Sequence, residues 1–358
     1  MSALGGENEL RVALLGYGLA GSVFHAPLIA ATSGLRLAAV VTGNAERGAQ
    51  AAREHPGVAV VESSERLWER AAELDVVVVA SPNRTHVPLA AAAVARGLAV
   101  VVDKPLAPTA AEGRHLVAEA RGRGVLLTVF QNRRWDGDFL TLRRVLAEGA
   151  LGAPARFESS FDRWRPTPKP GWRERGTPEE AGGLLFDIGS HLIDQALLLF
   201  GPVRDVYAEL DRRRPGVEVD DDAFVALTHA SGVRSHLHAT VLAAEPAPRF
   251  RVLGSRAAFV KHGLDVQEAA LKGGGRPDAP GWGEEPRERW GHVHDGTEAR
   301  VVQSEPGAYQ RFYEGLVESL RHGAPPPVDP ADAVAGLEII EAARRSASER
   351  RAVPMAGE

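Results

Sequence analysis

The most constraining stretch is Leu10–Leu15 (LRVALL), which runs directly into Gly16-Tyr17-Gly18-Leu19-Ala20-Gly21. A short apolar run of this length reads as a buried strand. G-x-G-x-x-G after it reads as a turn into a helix. The first glycine serves the tight turn, the second lets backbone approach a pyrophosphate, and the third lets the helix pack on the strand. Free amides at that helix start suit phosphate. A glycine-rich turn with no ligand is the bland alternative, but strand, loop and helix this near the chain start favour a dinucleotide-binding βαβ unit.

Further strand–helix units follow. Apolar runs at 35–41, 58–61, 75–80, 98–102 and 125–130 read as strands, with helices at 86–96 and 109–122 between the later ones. This is the pattern of a doubly wound, mostly parallel sheet, assigned to residues 1–130. Ligands of such sheets sit at the carboxyl ends of the strands. Those ends carry the Gly16–Gly21 loop, Ser81-Pro82-Asn83 with His86, Asp103-Lys104-Pro105, and Gln131-Asn132-Arg133 with Trp135. At the end of the second strand no acid stands at positions 42–44 to grip a ribose. Thr42 and Asn44 are neutral donors, and Arg47 is within reach of a phosphate. That favours NADP, with NAD left open by Glu46.

From residue 131 the pattern changes. After a helix at 139–147, longer alternating segments at 155–163, 203–213, 222–229, 233–242 and 249–261 predict an open, mainly antiparallel sheet, an α+β domain over 131–358. The Gly-, Pro- and charge-rich stretch 264–306 reads as a loop-rich excursion or edge strands, and helices near 307–322 and 330–349 close the chain. Helix 187–200 is expected to cover one sheet face. The other face is a natural homodimer surface, with a tetramer as the larger assembly.

Bulk properties narrow the function classes. A chain of 358 residues most naturally makes two domains. Net charge −5 with no clustered basic run argues against nucleic acid. No apolar run nears 20 residues and no leader pattern is seen, which gives a soluble, cytoplasmic expectation without a membrane partner. Cysteine is absent, so thiolate chemistry is excluded. The lysines are only Lys104, Lys169, Lys261 and Lys272, which singles out the one beside a proline at a strand end.

The second chemical feature is Asp187-Ile188-Gly189-Ser190-His191, reached through Ala181-Gly182-Gly183. Leu184, Leu185, Ile188, Leu192, Ile193 and Ala196 recur at helical spacing, so the segment reads as a helix with a buried stripe. Asp187 and His191, four apart, share one face. A carboxylate beside an imidazole at a buried helix start suits proton transfer. Two alternatives stand beside this: a capping aspartate with a satisfied core histidine, and a D-x3-H-x2-D metal face completed by Asp194.

Taken together, GYGLAG (16–21), SPN..H (81–86), DKP (103–105) and GGLLFDIGSHLIDQ (182–195) resemble the GFO/IDH/MocA oxidoreductases. FHAPLI (24–29) and FQNRRWDGDF (130–139) are similar to the scyllo-inositol dehydrogenase-like branch. The resemblance covers nearly the whole chain. It implies a Rossmann domain followed by an α/β substrate domain, and a lysine–aspartate–histidine catalytic set on Lys104, Asp187 and His191. Its cofactor positions fall on Gly16, Gly18, Gly21, Ser81, Pro82, Asn83, His86 and Asp103, where Asp103 replaces the family's usual glutamate. The expected activity is hydride transfer between nicotinamide and a carbinol of a sugar or cyclitol. In it His191 is the base, Lys104 supports the developing alkoxide, and Asp187 positions both. A non-catalytic, dinucleotide-sensing regulator is the alternative on the same fold. Asp162, Arg163, Trp164, Arg165, Trp172 and Arg173 suit the wall of a polyol pocket, and no bound metal is expected.

Overall fold

The computed structural model describes residues 9–168 and 180–355; Trp172 and Arg173 lie outside them. Strands β1 (Leu10–Leu15), β2 (Leu35–Val41), β3 (Ala59–Val61), β4 (Val76–Val79), β5 (Ala99–Asp103) and β6 (Leu127–Phe130) form a sheet ordered β3-β2-β1-β4-β5-β6. Every neighbouring pair is parallel. Val76 to Val79 are each fully buried, because helices cover both faces and successive side chains find apolar neighbours either way. The strand order reverses between β1 and β4. That is the switch point where such sheets open a crevice, and the glycine loop and Ser81 sit at its lips.

The second sheet comprises β7 (Pro154–Asp162), β8 (Val203–Asp211), β9 (Asp222–His229), β10 (Arg234–Thr240), β11 (Phe250–Gly254), β12 (Ala258–Lys261), β13 (Gly291–His294), β14 (Ala299–Val302) and β15 (Val353–Pro354). They are ordered β14-β13-β12-β11-β7-β10-β9-β8-β15. All pairs are antiparallel except β7 with β10. Alternation sets the two faces: in β9, Ala223, Val225 and Leu227 are buried while Phe224, Ala226 and Thr228 are half-buried. The inner face meets the helix Ser190–Phe200, where the Phe157 and Phe200 rings stand 5.4 Å apart.

Two sequence expectations change here. The single strand at 249–261 is a hairpin, β11 and β12, broken at Ser255 to Ala257. The stretch 264–306 contains a six-residue helix, Gln267–Lys272, besides β13 and the edge strand β14. The last helices return to the first sheet: Gln310–His322 packs on Ala26–Ala31, and Pro330–Glu349 packs on Ala110–Gly122. Thr128 of β6 donates its hydroxyl to the Val328 carbonyl at 2.8 Å. Pro330–Glu349 also packs on β8, so this helix bridges the two sheets. Among the described residues no helix is long and apolar enough to cross a membrane.

Candidate active site

The glycine loop divides its duties. Gly16 has φ +102°, and a Cβ there would meet the Ala80 carbonyl oxygen at 2.5 Å; one on Gly21 would meet the Gly16 oxygen at 2.0 Å. Both glycines answer to the protein's own packing. Gly18 does not: the nearest atom to its would-be Cβ is a guanidinium nitrogen of Arg47, 3.9 Å away. That open cradle, bordered by a cation and followed by a helical turn from Ala20, fits a phosphate of a dinucleotide. Asn44 accepts from the Arg47 amide at 2.9 Å and so starts the helix that carries Arg47, while the Thr42 hydroxyl accepts from the Asn44 amide at 3.3 Å. Leu19 is exposed beside the cradle. Tyr17 turns inward, its hydroxyl donating to Glu54 at 2.7 Å, so only its backbone faces the loop.

The next turns are stitched together. The Ser81 and Thr85 hydroxyls bond at 2.6 Å, Pro82 leads into a short helical turn, and Asn83 Nδ2 donates to the Ala181 carbonyl at 3.1 Å. His86, expected at the nucleotide, instead lies buried with its ring nitrogens 2.8 and 2.9 Å from the Pro105 and Ser81 carbonyls. It ties the Ser81 turn to the Lys104–Pro105 turn. The Lys104–Pro105 peptide bond is cis.

Lys104 leaves the end of β5 after Asp103, whose carboxylate accepts the Lys104 amide at 2.9 Å. Burial pushes the Asp103 pKa up, but His25, Lys104 and His86 outweigh it and hold it below the ordinary value. Lys104 Nζ crosses to the other domain and donates to the Asp187 main-chain oxygen at 2.5 Å and to Asp187 Oδ1 at 3.0 Å.

Asp187 lies in a π-helical turn, Leu185–Gly189, ahead of the α-helix, not in a uniform helix. Such wide turns recur at functional sites. Its entrance is built by Gly183, with φ +93°. Asp220 occupies the space where a Cβ would stand, 2.2 Å from its Oδ1. Asp220 in turn accepts the Leu185 amide at 2.7 Å on Oδ2 and the Leu184 amide at 2.8 Å on its main-chain oxygen.

His191 opens the following helix and is buried. Its Nδ1 is 3.2 Å from the side-chain oxygen of Gln131, an acceptor, so Nδ1 carries the hydrogen and Nε2 keeps its lone pair. Burial first, then the charges of Lys104 and Arg133, hold the His191 pKa well below the usual histidine value, against Asp187, which raises it. The ring is therefore neutral near pH 7, with a basic nitrogen available.

These groups share one cavity of about 570 Å³, which reaches from Leu19 and Ala20 past Lys104 to Asp187, His191 and Glu268. Asn132, Arg133 and Arg163 also line it. The Arg133 and Arg163 guanidinium groups lie against the Phe161 ring, at 4.7 and 4.8 Å. Four expected residues are elsewhere, among them Trp164, which is exposed and does not line the cavity. Trp135 packs edge-on against Phe312, outside the cavity wall. Asp162 points to the opposite face of the sheet from Arg163, because adjacent strand residues alternate; its carboxylate accepts from the Ala247 amide at 2.8 Å and faces His238. Asp194 is held by Arg134 at 2.6 and 2.9 Å, so the D-x3-H-x2-D spacing does not converge. Among the described residues no cluster of three metal-ligating side chains occurs.

Sequence reasoning missed His25, Glu268 and Lys272 on the wall, Asp220 beneath the Asp187 turn, and the pairing of Gln131 with His191. His25 is fully buried, with Nδ1 2.6 Å from the Tyr313 hydroxyl and Nε2 3.9 Å from Asp103. Its only sequence signal was its place in FHAPLI. Gln131 was visible as a strand-end residue, but nothing in the sequence pairs it with His191.

Comparison with known proteins agrees with this fold. Residues 10–131 match the family described as "Oxidoreductase family, NAD-binding Rossmann fold", and 143–355 match "Oxidoreductase family, C-terminal alpha/beta domain". The oxidoreductase YdgJ of Escherichia coli is 41% identical, over 98% of this chain and all of its own. The scyllo-inositol 2-dehydrogenase (NADP(+)) IolW of Bacillus subtilis is 34% identical, over 97% of this chain and 96% of its own. Among solved structures, yvaA of Bacillus subtilis superposes with a TM-score of 0.91 at 34% identity, covering 98% of this chain and 99% of that one. The chain belongs to the GFO/IDH/MocA oxidoreductase family, with a nucleotide-binding Rossmann domain joined to its C-terminal α/β domain.

Proposed function

We propose that the protein is an NADP-linked dehydrogenase acting on a carbinol of a sugar or cyclitol. The observation that carries the reading is that Lys104, fastened to Asp187, and a neutral His191 line one cavity beside the glycine loop. The glycine loop, open at Gly18 and shaped by Gly16 and Gly21, would hold the phosphates with Arg47, and Asp103 and Asn132 would flank the reactive end. A nicotinamide, when bound there, supplies the hydride acceptor or donor. His191 Nε2 takes the proton of the substrate hydroxyl, its Nδ1–H anchored on Gln131. Lys104 Nζ donates to the same oxygen, whose negative charge grows as the carbinol becomes a carbonyl. Asp187 keeps the ammonium aimed and remains an acceptor for a neighbouring hydroxyl. The relative IolW, a scyllo-inositol 2-dehydrogenase (NADP(+)), supports both the cofactor and the substrate class. The test is absorbance of NADP⁺ and NAD⁺ solutions with a panel of polyols: reduction by at least one cyclitol or sugar is expected. Tight nucleotide binding with no turnover of any member overturns the reading.

A further inference from the structure

We infer that Glu268 is the specificity-determining acceptor for substrate hydroxyls, a role that rests on the polyol reading above. Glu268 comes from the stretch 264–306, which has no sequence periodicity, and it lines the same cavity as Asp187 and His191.

Its support is elaborate for so short a helix. Asp265 Oδ2 accepts the Gly137 amide at 2.8 Å. The Gln267 side chain donates to the Trp135 carbonyl at 3.1 Å and accepts the Tyr309 amide at 2.7 Å. Gly307 is packed so closely that a Cβ there would stand 2.2 Å from Gln267 Nε2. Asp265 and Gln267 therefore bolt the segment to the seam between the domains, and the residue presented to the cavity is the next one.

The surroundings of Glu268 fix its state. Arg133 donates to it at 2.6 Å, Arg163 lies 3.7 Å away, and Lys272 bonds to it one turn on. Burial raises its pKa, but these three cations outweigh that and hold it down to about 2. It is thus an ionised carboxylate ringed by donors: an acceptor for a hydroxyl hydrogen, next to guanidinium and ammonium hydrogens that donate to the same hydroxyl's oxygen. Adjacent hydroxyls of a polyol offer this alternation of donor and acceptor, and a carbonyl or ether at that position does not.

The experiment is calorimetric titration of wild type, Glu268→Gln and Glu268→Asp with myo-inositol and its monodeoxy analogues. NADPH titration and thermal melting serve as controls for the fold. Glu268→Gln is expected to weaken myo-inositol binding roughly ten- to a hundred-fold, the range for a hydrogen bond to a charged group. NADPH affinity should hold, and Glu268→Asp should recover part of the loss. One deoxy analogue should lose as much on wild type, yet lose little further on Glu268→Gln. The inference is overturned if Glu268→Gln binds myo-inositol as wild type does, if every analogue loses the same factor on both proteins, or if no inositol binds. Binding with coupling but no turnover would refute the dehydrogenase reading and leave this one standing.

Discussion

The Nζ of Lys104 donates to the main-chain oxygen of Asp187 at 2.5 Å and to its Oδ1 at 3.0 Å, fastening the end of one sheet to the turn that carries the acid of the other. The lysine is 15% exposed in its side chain, so the pair is only partly screened by solvent. Replacing Lys104 by Met keeps the stem and removes the donor. Turnover should fall by about 10²–10⁴-fold, the range for a positioned acid–base group, while the dissociation constant for NADPH stays nearly unchanged. Steady-state kinetics beside a fluorescence titration of NADPH checks this. Equal losses in both would mean that Lys104 serves the nucleotide and not the reacting oxygen.

The neutral His191 sets a pH dependence with a defined sign. Its pKa in the folded protein is well below 6.5, so the acid limb of kcat/KM for alcohol oxidation should lie well below the ordinary histidine range. Gln131→Glu puts a carboxylate beside Nδ1–H, favours the imidazolium and should move that limb upward. Stability follows the same linkage: the unfolded chain takes up a proton below about pH 6.5 that folded His191 refuses. This contribution is present above the unfolded pKa and is lost as pH falls. The Tm of wild type should therefore drop on acidification more steeply than that of His191→Asn. Identical slopes would show that His191 is not buried neutral.

Much of this was legible in the sequence for identifiable reasons. The run Val76–Val79 and its neighbours declare a sheet buried on both faces, and the glycine loop declares what sits at its switch point, because both rest on local sterics and burial. Asp187 and His191 were found because helical spacing links them. Glu268 was hidden because its six-residue helix is held by tertiary bonds from Asp265 and Gln267 to Gly137, Trp135 and Tyr309, which leave no periodicity. Asp162 was readable and misread: grouping it with Arg163 ignored that consecutive strand residues face opposite ways. The Asp194 spacing was equally suggestive of a metal, but no sequence pattern shows that Arg134, sixty residues earlier, takes both its oxygens.

Gly183 is required by its neighbour and not by a need for mobility. With φ +93° and the Asp220 carboxylate in its Cβ space, Gly183→Ala must push Asp220 off the Leu184 and Leu185 amides that it caps. A strained non-glycine residue costs of order 1–3 kcal/mol, and a displaced cap adds about 1 kcal/mol. Tm should fall by several degrees, and kcat should fall further than KM rises, because the turn holding Asp187 moves. Gly182→Ala is the comparison. If both alanines are equally mild, Asp220 does not set the turn.

On the proposed NADP-linked reading, Arg47 is the residue that distinguishes the two nucleotides. It is exposed, one helical turn past the Asn44 cap, and its guanidinium is the nearest group to the open side of Gly18. No carboxylate at positions 42–44 competes for the ribose. A charge-assisted bond to a 2′-phosphate is worth about 1.5–3 kcal/mol, and exposure puts this one at the lower end. Arg47→Gln should therefore weaken NADPH binding about tenfold and leave NADH nearly unchanged. The NADPH advantage of wild type should also shrink with added salt, as screening of an exposed charge requires. Fluorescence titrations of both nucleotides at two ionic strengths make the comparison. A uniform loss for NADPH and NADH would place Arg47 on the shared pyrophosphate and remove the basis for the NADP preference.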